Sequence, residues 1–188
     1  MRPHRLLVLH QSILQVLHEP GCPFCRFLKD FQADRLQNHP EQGLHHLCNF
    51  HVWGLAAVQD APVAAQMFLG LVDEAVLLPN ETASCDICAQ ITAEEDLRIR
   101  ELASCLNRHE IAHWLRTEAV FCIPHALKLR QKVPILLTPR IDTIIAEYRR
   151  QLIEELNQLR DEPGPDRTGW GAVGRAAEFL VSQRGLRA

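Results

Sequence analysis

Four pairs of metal-binding side chains, each with two residues between its members, constrain this chain more than any other feature of its sequence. In chain order the pairs are Cys-Cys, Cys-His, Cys-Cys and Cys-His. A two-residue gap lets both side chains of a pair converge on one ion about 2.0–2.3 Å away. The pairs are Cys22 and Cys25, Cys48 and His51, Cys85 and Cys88, and Cys122 and His125.

This order is one pattern written twice, which indicates an internal duplication. Each copy supplies three thiols and one imidazole, with 22 residues between Cys25 and Cys48 and 33 between Cys88 and Cys122. Either stretch suffices for a helical excursion and return. We therefore predict sequential pairing, with one ion held inside each copy. A crossed arrangement, in which the first CxxC shares an ion with the last CxxH, is the open alternative.

Zinc suits such ligand sets best, because sulfur is soft, imidazole nitrogen is borderline and four ligands close the coordination shell. A closed tetrahedral site leaves no position for a substrate, so we predict two structural Zn²⁺ ions and no catalytic residue. Three thiolates leave each site with a charge of about −1, which the N-terminus of a helix favours. Iron–sulfur ligation is one alternative. Buried thiols and capping histidines in an ordinary core are the other.

Composition places the chain among globular proteins. It has 188 residues, 47% of them hydrophobic and 23% charged, with a formal net charge of −3, which excludes a disordered tail and a protein dedicated to coating nucleic acid. The basic N-terminal segment and the apolar run that follows it predict an amphipathic helix without a cleavage site. Charges interrupt the most apolar window, residues 52–78, before it could span a bilayer. We expect a cytoplasmic protein that does not enter the membrane.

Apolar residues recur at helical spacing nearly everywhere, so we predict an all-α fold. Two similar zinc-clamped helical modules, residues 1–79 and 80–188, pack with a long helix over about 139–160. Thr92 to Glu95 reads as a capping box before a helix that ends at Leu106. The other expected helices cover residues 24–36, 52–57, 63–78, 109–118, 123–132 and 170–182.

The long helix carries one apolar stripe. A helix docked on its own core explains the stripe, and a dimer seam is the alternative because the three-to-four spacing also suits a coiled coil. A homodimer therefore stays open. The stripe consists of Ile141, Ile145, Tyr148, Leu152, Leu156 and Leu159.

The motifs CPFC, LCNFH, CDIC and FCIPH, together with the closing TGWGAVGRAAEFLV, resemble a bacterial family of small helical proteins of unknown function with paired CPxC and FCxxH motifs. The resemblance covers most of the chain. It implies metal binding by the eight Cys and His residues named above and implies no reaction. Asp86 departs from the pattern, since the first copy has Pro23 at that position.

A competing motif is His109-Glu-Ile-Ala-His113, which matches the HExxH of zinc hydrolases. We expect a solvated short helix here, with Trp114 and Leu115 facing the core, because no further ligand signature follows. Cys105 has no partner in the pattern and is predicted to be a buried, inert thiol, with a regulatory or reactive thiol as the alternative. His45 and His46 are expected to be exposed, and substitution as ligands is the alternative for them.

The segment from Lys128 to Arg150 has a local charge of about +4, which could meet phosphates or an acidic partner. Nucleic acid is not favoured, because aromatic residues are sparse. The leading hypothesis is a non-catalytic zinc-binding interaction or adaptor protein whose protein partner is unidentified. A thiol-redox or zinc-release sensor is the alternative, and an HExxH metallohydrolase is the third.

Overall fold

A computed structural model describes Leu17 and residues 21–38, 47–58, 61–73, 85–106, 108–161 and 170–182. These parts are helices joined by turns, with no strand among them, so the all-α prediction is confirmed there. The N-terminal amphipathic helix lies outside the described residues except for Leu17. His45 and His46 lie outside them too.

Eight α-helices and one short 3₁₀ turn are found in the described parts. The 3₁₀ turn, Ile135–Leu137, follows Pro134, which has no N–H to donate to a continuing helix. In chain order the helices are α1 (Pro23–Asn38), α2 (Asn49–Val58), α3 (Ala61–Asp73), α4 (Asp86–Cys105), α5 (His109–Thr117), α6 (Ile123–Lys132), α7 (Thr138–Asp161) and α8 (Trp170–Val181).

One predicted helix start is wrong. Thr92 lies inside α4, which already begins at Asp86, so Thr92 and Glu95 form no capping box. The Thr92 hydroxyl donates instead to the carbonyl of Cys88 at 2.9 Å, the bond that a threonine in a helix interior makes to the preceding turn. The start of α4 therefore follows Cys85 directly.

The chain forms two compact units, residues 1–27 with 96–188 and residues 28–95. The predicted modules, 1–79 and 80–188, have other boundaries, and the one at residues 79 and 80 lies outside the described residues. None of the described helices is both long and apolar enough to cross a bilayer.

The core of the first unit is built from α4 to α7 together with Phe24 and Leu17. Phe121, Ile111 and Ile141 are completely buried there. The indole Nε1–H of Trp114 donates to the carbonyl of Leu17 at 2.9 Å, so the polar atom of a buried ring is satisfied.

The apolar stripe of α7 packs on this unit's own core. Ile141 and Leu152 are buried, and the other four members of the stripe are partly buried. Helix α7 contacts α6 and α8, and the rings of Tyr148 and Phe179 meet edge to face at 5.5 Å between centroids. The docked-helix interpretation therefore accounts for the stripe.

The second unit has a smaller buried set, which includes Leu36, Leu55 and Ile87. Gly54 permits close packing in it, because a Cβ at that position would lie 3.3 Å from a methyl carbon of Leu36. Helices α2 and α3 contact one another in this unit.

Candidate metal centres

All four ligand pairs start a helix in the same way. The first member lies directly before the helix and the second is its third residue, as the predicted placement at helix N-termini requires. The backbone repeats the same bond at each start, because the amide after the second member donates to the carbonyl of the first. These N···O distances are 3.3 Å from Arg26 to Cys22, 3.0 Å from Val52 to Cys48, 2.9 Å from Ala89 to Cys85 and 2.9 Å from Ala126 to Cys122.

The pairs combine into two groups of four, and the combination is nested. The outer site consists of Cys22, Cys25, Cys122 and His125, and the inner site consists of Cys48, His51, Cys85 and Cys88. Within each site the ligand atoms all lie within 4.8 Å of one another. Each site lies inside one compact unit, the outer site in the first and the inner site in the second.

Sequential pairing is therefore wrong, and the crossed alternative is the observed arrangement. Loops of 22 and 33 residues are compatible with both the sequential and the crossed pairing, so the spacing of the motifs does not decide between them. Hydrophobic contacts favour the crossed pairing. Phe24, inside the first CxxC, stacks on Phe121 with 6.0 Å between centroids and lies 5.4 Å from the ring of His125.

The outer site has the dimensions of a tetrahedral zinc centre. With Zn–S of about 2.3 Å and Zn–N of about 2.0 Å, tetrahedral angles place sulfurs ~3.8 Å apart and sulfur ~3.5 Å from nitrogen. The Sγ atoms of Cys25 and Cys122 are 3.6 Å apart. The His125 Nδ1 atom lies 3.6 Å from the sulfur of Cys22, 3.3 Å from that of Cys25 and 2.9 Å from that of Cys122.

The inner site repeats these dimensions. The sulfurs of Cys48 and Cys88 are 3.8 Å apart. The His51 Nδ1 atom lies 3.3 Å from the sulfur of Cys48, 3.2 Å from that of Cys85 and 3.5 Å from that of Cys88. In both sites Nδ1 is therefore the imidazole atom that faces the three sulfurs.

Hydrogen bonds alone do not account for this geometry. A neutral imidazole Nδ1 has one lone pair and accepts one hydrogen bond, yet three sulfurs surround it at each site. All seven cysteines are free thiols, and 3.6 Å between Cys25 and Cys122 is far beyond the S–S bond length of about 2.05 Å. A cation at the centre of each group satisfies all four ligand atoms at once. The residues therefore fit a metal ion.

Crowding of the thiols changes their ionisation when no cation lies between them. Hydrogen bonding to Cys122 and burial raise the pKa of Cys25 far above its usual range. Burial and the neighbouring Cys85 raise the pKa of Cys88 to about 12. For Cys22 burial opposes ionisation, but hydrogen bonds from its neighbours outweigh it and hold the pKa well below the usual range. Without metal, each group keeps protons that a bound cation would displace.

The two sites differ in burial. In the outer site Cys25, Cys122 and His125 are buried and only Cys22 is partly exposed. In the inner site both Cys48 and Cys88 are partly exposed. The inner site therefore has the more accessible ligands.

The HExxH motif does not build a third centre in the described part of the chain. His109, Glu110 and His113 are exposed on α5, while Trp114 and Leu115 face the core as predicted. The two Cys3His groups are the sets of three or more metal-binding side chains found among the described residues, and neither includes His109 or His113.

The structure accounts for two further features of the sequence, Cys105 and the basic segment. Cys105 is buried in the first unit's core, which confirms the predicted burial of this thiol. In the basic segment, Arg130 pairs with Asp142 at 3.1 Å, and Arg150 pairs with Glu147 and Glu154, each at 2.6 Å. These acidic partners reduce the local field that a phosphate backbone would meet.

The comparisons with known proteins found no matching family model, no matching curated protein and no matching solved structure. The resemblance to the bacterial CPxC and FCxxH family stays a prediction. The metal assignment therefore rests on the geometry of the eight side chains.

Proposed function

We propose that this chain is a non-catalytic interaction protein whose two units are each held by one structural Zn²⁺. The observation that supports the metal role most directly is the tetrahedral spacing within two complete sets of four ligands. A set that is complete leaves no coordination position for a substrate. Zinc is favoured over an iron–sulfur cluster because single-ion distances separate the sulfurs, and the familiar cysteine runs of ferredoxins are missing from the sequence.

Metal analysis of the purified protein tests this role. We expect two zinc per chain, no iron, and no loss of metal in the His109→Ala/His113→Ala variant. A third equivalent that disappears in this variant would instead support the metallohydrolase. Iron with sulfide, or less than one metal ion per chain, would contradict the proposal.

The interaction role is supported by an uncharged, exposed apolar surface on α2 and α3. Trp53 and Val72 are each 70% exposed and Leu69 is 65% exposed, whereas apolar side chains of this size usually avoid contiguous exposure. We define this apolar surface by Phe50, Trp53 and Ala57 on α2 and by Pro62, Ala65, Leu69 and Val72 on α3, all of them exposed.

The spacing of the apolar surface suits a facing helix. Its members recur at three- and four-residue intervals on both helices, the spacing by which helices interdigitate. Neither helix contains a lysine, an arginine or a glutamate, and Asp73 is the only acidic residue in either.

We commit to a second copy of this chain as the occupant of the apolar surface. A surface without charge meets its own copy without like-charge repulsion, and a two-fold axis pairs each stripe with the same stripe. Two short helices form an interface at the small end of the range, below about 1,200 Å², which is typical of weak association.

Sedimentation analysis across micromolar to submillimolar concentration tests this dimer. We expect concentration-dependent dimerisation that Leu69→Ser abolishes while the zinc content stays at two. Leu136→Ser is the matched control, because Leu136 is 87% exposed and lies outside the apolar surface. A monomer throughout, or equal loss in both variants, would contradict the assignment. Zinc analysis of the same samples separates this failure from failure of the metal sites.

We place the protein in the cytoplasm. Free thiols in all seven cysteines suit a reducing compartment, where zinc ligands persist without oxidising to disulfides. A second function, a thiol-redox sensor, is favoured by one observation, a pocket that opens onto the thiols of the outer site.

A further inference from the structure

A pocket of about 40 Å³ opens onto the outer site in the first unit. The sulfur-bearing residues Cys22, Cys25 and Cys122 form part of its wall. Cys25 and Cys122 are buried, so the pocket offers an approach to them from solvent. The rest of the wall comes from Gly21, Arg26, Val120, Tyr148, Arg175, Glu178 and Phe179.

The turn before α1 contributes Gly21 to the lining of this pocket. Gly21 has a φ of +100°, a backbone conformation that glycine adopts without the steric cost of a Cβ atom. This turn places Cys22 directly before α1, where it is the one partly exposed ligand of the outer site.

The size of the pocket selects what can enter. A cavity needs a volume of about 10–15 Å³ to hold one water molecule. The pocket volume of about 40 Å³ therefore accommodates a molecule the size of hydrogen peroxide. The volume of the pocket favours a small oxidant over larger reagents.

The lining carries groups that suit peroxide chemistry. Arg26, Arg175 and Tyr148 bear hydrogen-bond donors, and Glu178 bears an acceptor. Arg175 also pairs with Glu155, which ties this part of the lining to α7. Donors beside a thiolate stabilise the hydroxide that leaves when an O–O bond breaks.

We propose that this pocket admits hydrogen peroxide to the outer site and that Cys22 is the first thiolate oxidised there. The proposal rests on the proposed zinc site, because coordination keeps sulfur as a thiolate at neutral pH.

Two steps complete the reaction. The Cys22 sulfur attacks one peroxide oxygen, the O–O bond breaks, and the products are a sulfenic acid on Cys22 and hydroxide. The Cys25 thiolate then attacks the Cys22 sulfur, an S–S bond forms and a second hydroxide leaves. Two electrons pass from the two sulfurs to one peroxide. The required approach is short, because all ligand atoms of the site lie within 4.8 Å.

Oxidation removes two of the four ligands. Cys122 and His125 alone hold a zinc ion weakly, so metal is released from the outer site. The inner site lies in the second unit and contributes no thiol to the lining of this pocket, so its oxidation does not depend on the pocket.

Glu178→Trp tests the proposal, because Glu178 is exposed and lines the pocket, and we expect a bulky ring at this position to obstruct it. Zinc-loaded protein is treated with dilute hydrogen peroxide, and each thiol is followed by differential alkylation and mass spectrometry. We expect Cys22 to oxidise first within the outer site, a Cys22–Cys25 disulfide to accumulate, and Glu178→Trp to slow both several-fold. Glu154→Trp, an exposed replacement away from the pocket, should leave the rates unchanged.

Cys48 and Cys88 of the inner site are the internal control, and their rates should be equal in both variants. Equal Cys22 rates in Glu178→Trp and wild type, or initial oxidation of Cys25 or Cys122, would overturn the proposal. Zinc content measured before treatment separates the two possible failures. If the protein holds two zinc per chain and Glu178→Trp does not slow oxidation, only this inference is wrong. If zinc is absent, the metal assignment itself is wrong.

Discussion

The sulfurs of Cys25 and Cys122 lie 3.6 Å apart although the two residues are 97 positions apart in the chain. Their contact joins the helix start of α1 to that of α6 inside the first unit. It also encloses the whole inner site within the sequence interval of the outer one. Two ligand sets with the same composition therefore tie together different lengths of chain.

The nested pairing predicts which thiols become reactive when one ligand is lost. In Cys122→Ser we expect zinc to fall to one per chain and Cys22 and Cys25 to react with a maleimide. Cys85 and Cys88 should stay protected, because they belong to the inner site, which keeps its ion. Alkylation followed by mass spectrometry measures each thiol separately.

The reciprocal variant is the control. Cys85→Ser should expose Cys48 and Cys88 and leave the outer-site thiols protected. If Cys122→Ser instead exposed Cys88, the sequential pairing would be restored.

Burial predicts the order in which a chelator removes the two ions. The inner site should lose its zinc first, since Cys48 and Cys88 are partly exposed whereas the outer site exposes only Cys22. When chelation is stopped with one zinc left per chain and the protein is then alkylated, Cys48 and Cys88 should be modified and Cys25 should be intact. Simultaneous loss of both ions would show that accessibility does not control release.

Phe24 should couple packing to metal retention. Its ring is buried against Phe121 and His125, and removing a buried phenylalanine costs about 3–5 kcal/mol. Phe24→Ala should therefore lower the free energy of unfolding of zinc-loaded protein by that amount, measured with denaturant. Phe31→Ala, which truncates a partly buried ring on the same helix, should cost less. Equal losses would place Phe24 outside the core of the outer site.

Zinc binding should release protons. Neighbouring thiols and burial raise the pKa of Cys25, and burial and neighbouring thiols raise that of Cys88, so these groups are protonated at pH 7 without metal and ionised with it. Affinity should fall as pH falls, roughly tenfold per pH unit for each displaced proton. Calorimetry in buffers of different ionisation enthalpy counts the protons, and a pH-independent affinity would contradict this expectation.

The same pKa shift gives the metal-free fold the opposite pH dependence. A raised thiol pKa stabilises the fold while the thiol is protonated, below its ordinary pKa of about 8.5. This contribution is lost as pH rises toward the value of about 12 for Cys88. Chelator-treated protein should therefore unfold more easily at pH 10 than at pH 7.

Local features of the fold were predictable from the sequence because their causes are local. The periodicity of α7 and its proline at residue 139 set both its position and its buried stripe. The two-residue gaps identified all eight residues of the two Cys3His groups for the same reason, since one helix turn at each motif brings a pair together.

Which two ligand pairs share a site was not predictable, because this depends on contacts between distant segments. The stacking of Phe24 on Phe121 selects the partner of the first CxxC, and nothing in the spacing of the motifs encodes it. The start of α4 was missed for a simpler reason. Thr92 and Glu95 match a capping pattern, but Cys85 and Asp86 already begin the helix upstream.

The nested order also determines when each ligand set becomes complete during synthesis of the chain. As the chain leaves the ribosome, the inner ligand set is complete once Cys88 has emerged, while Cys22 and Cys25 wait for residue 125. The thiols made first are thus the last to gain a complete ligand set, and during that interval they depend on the reducing power of their surroundings.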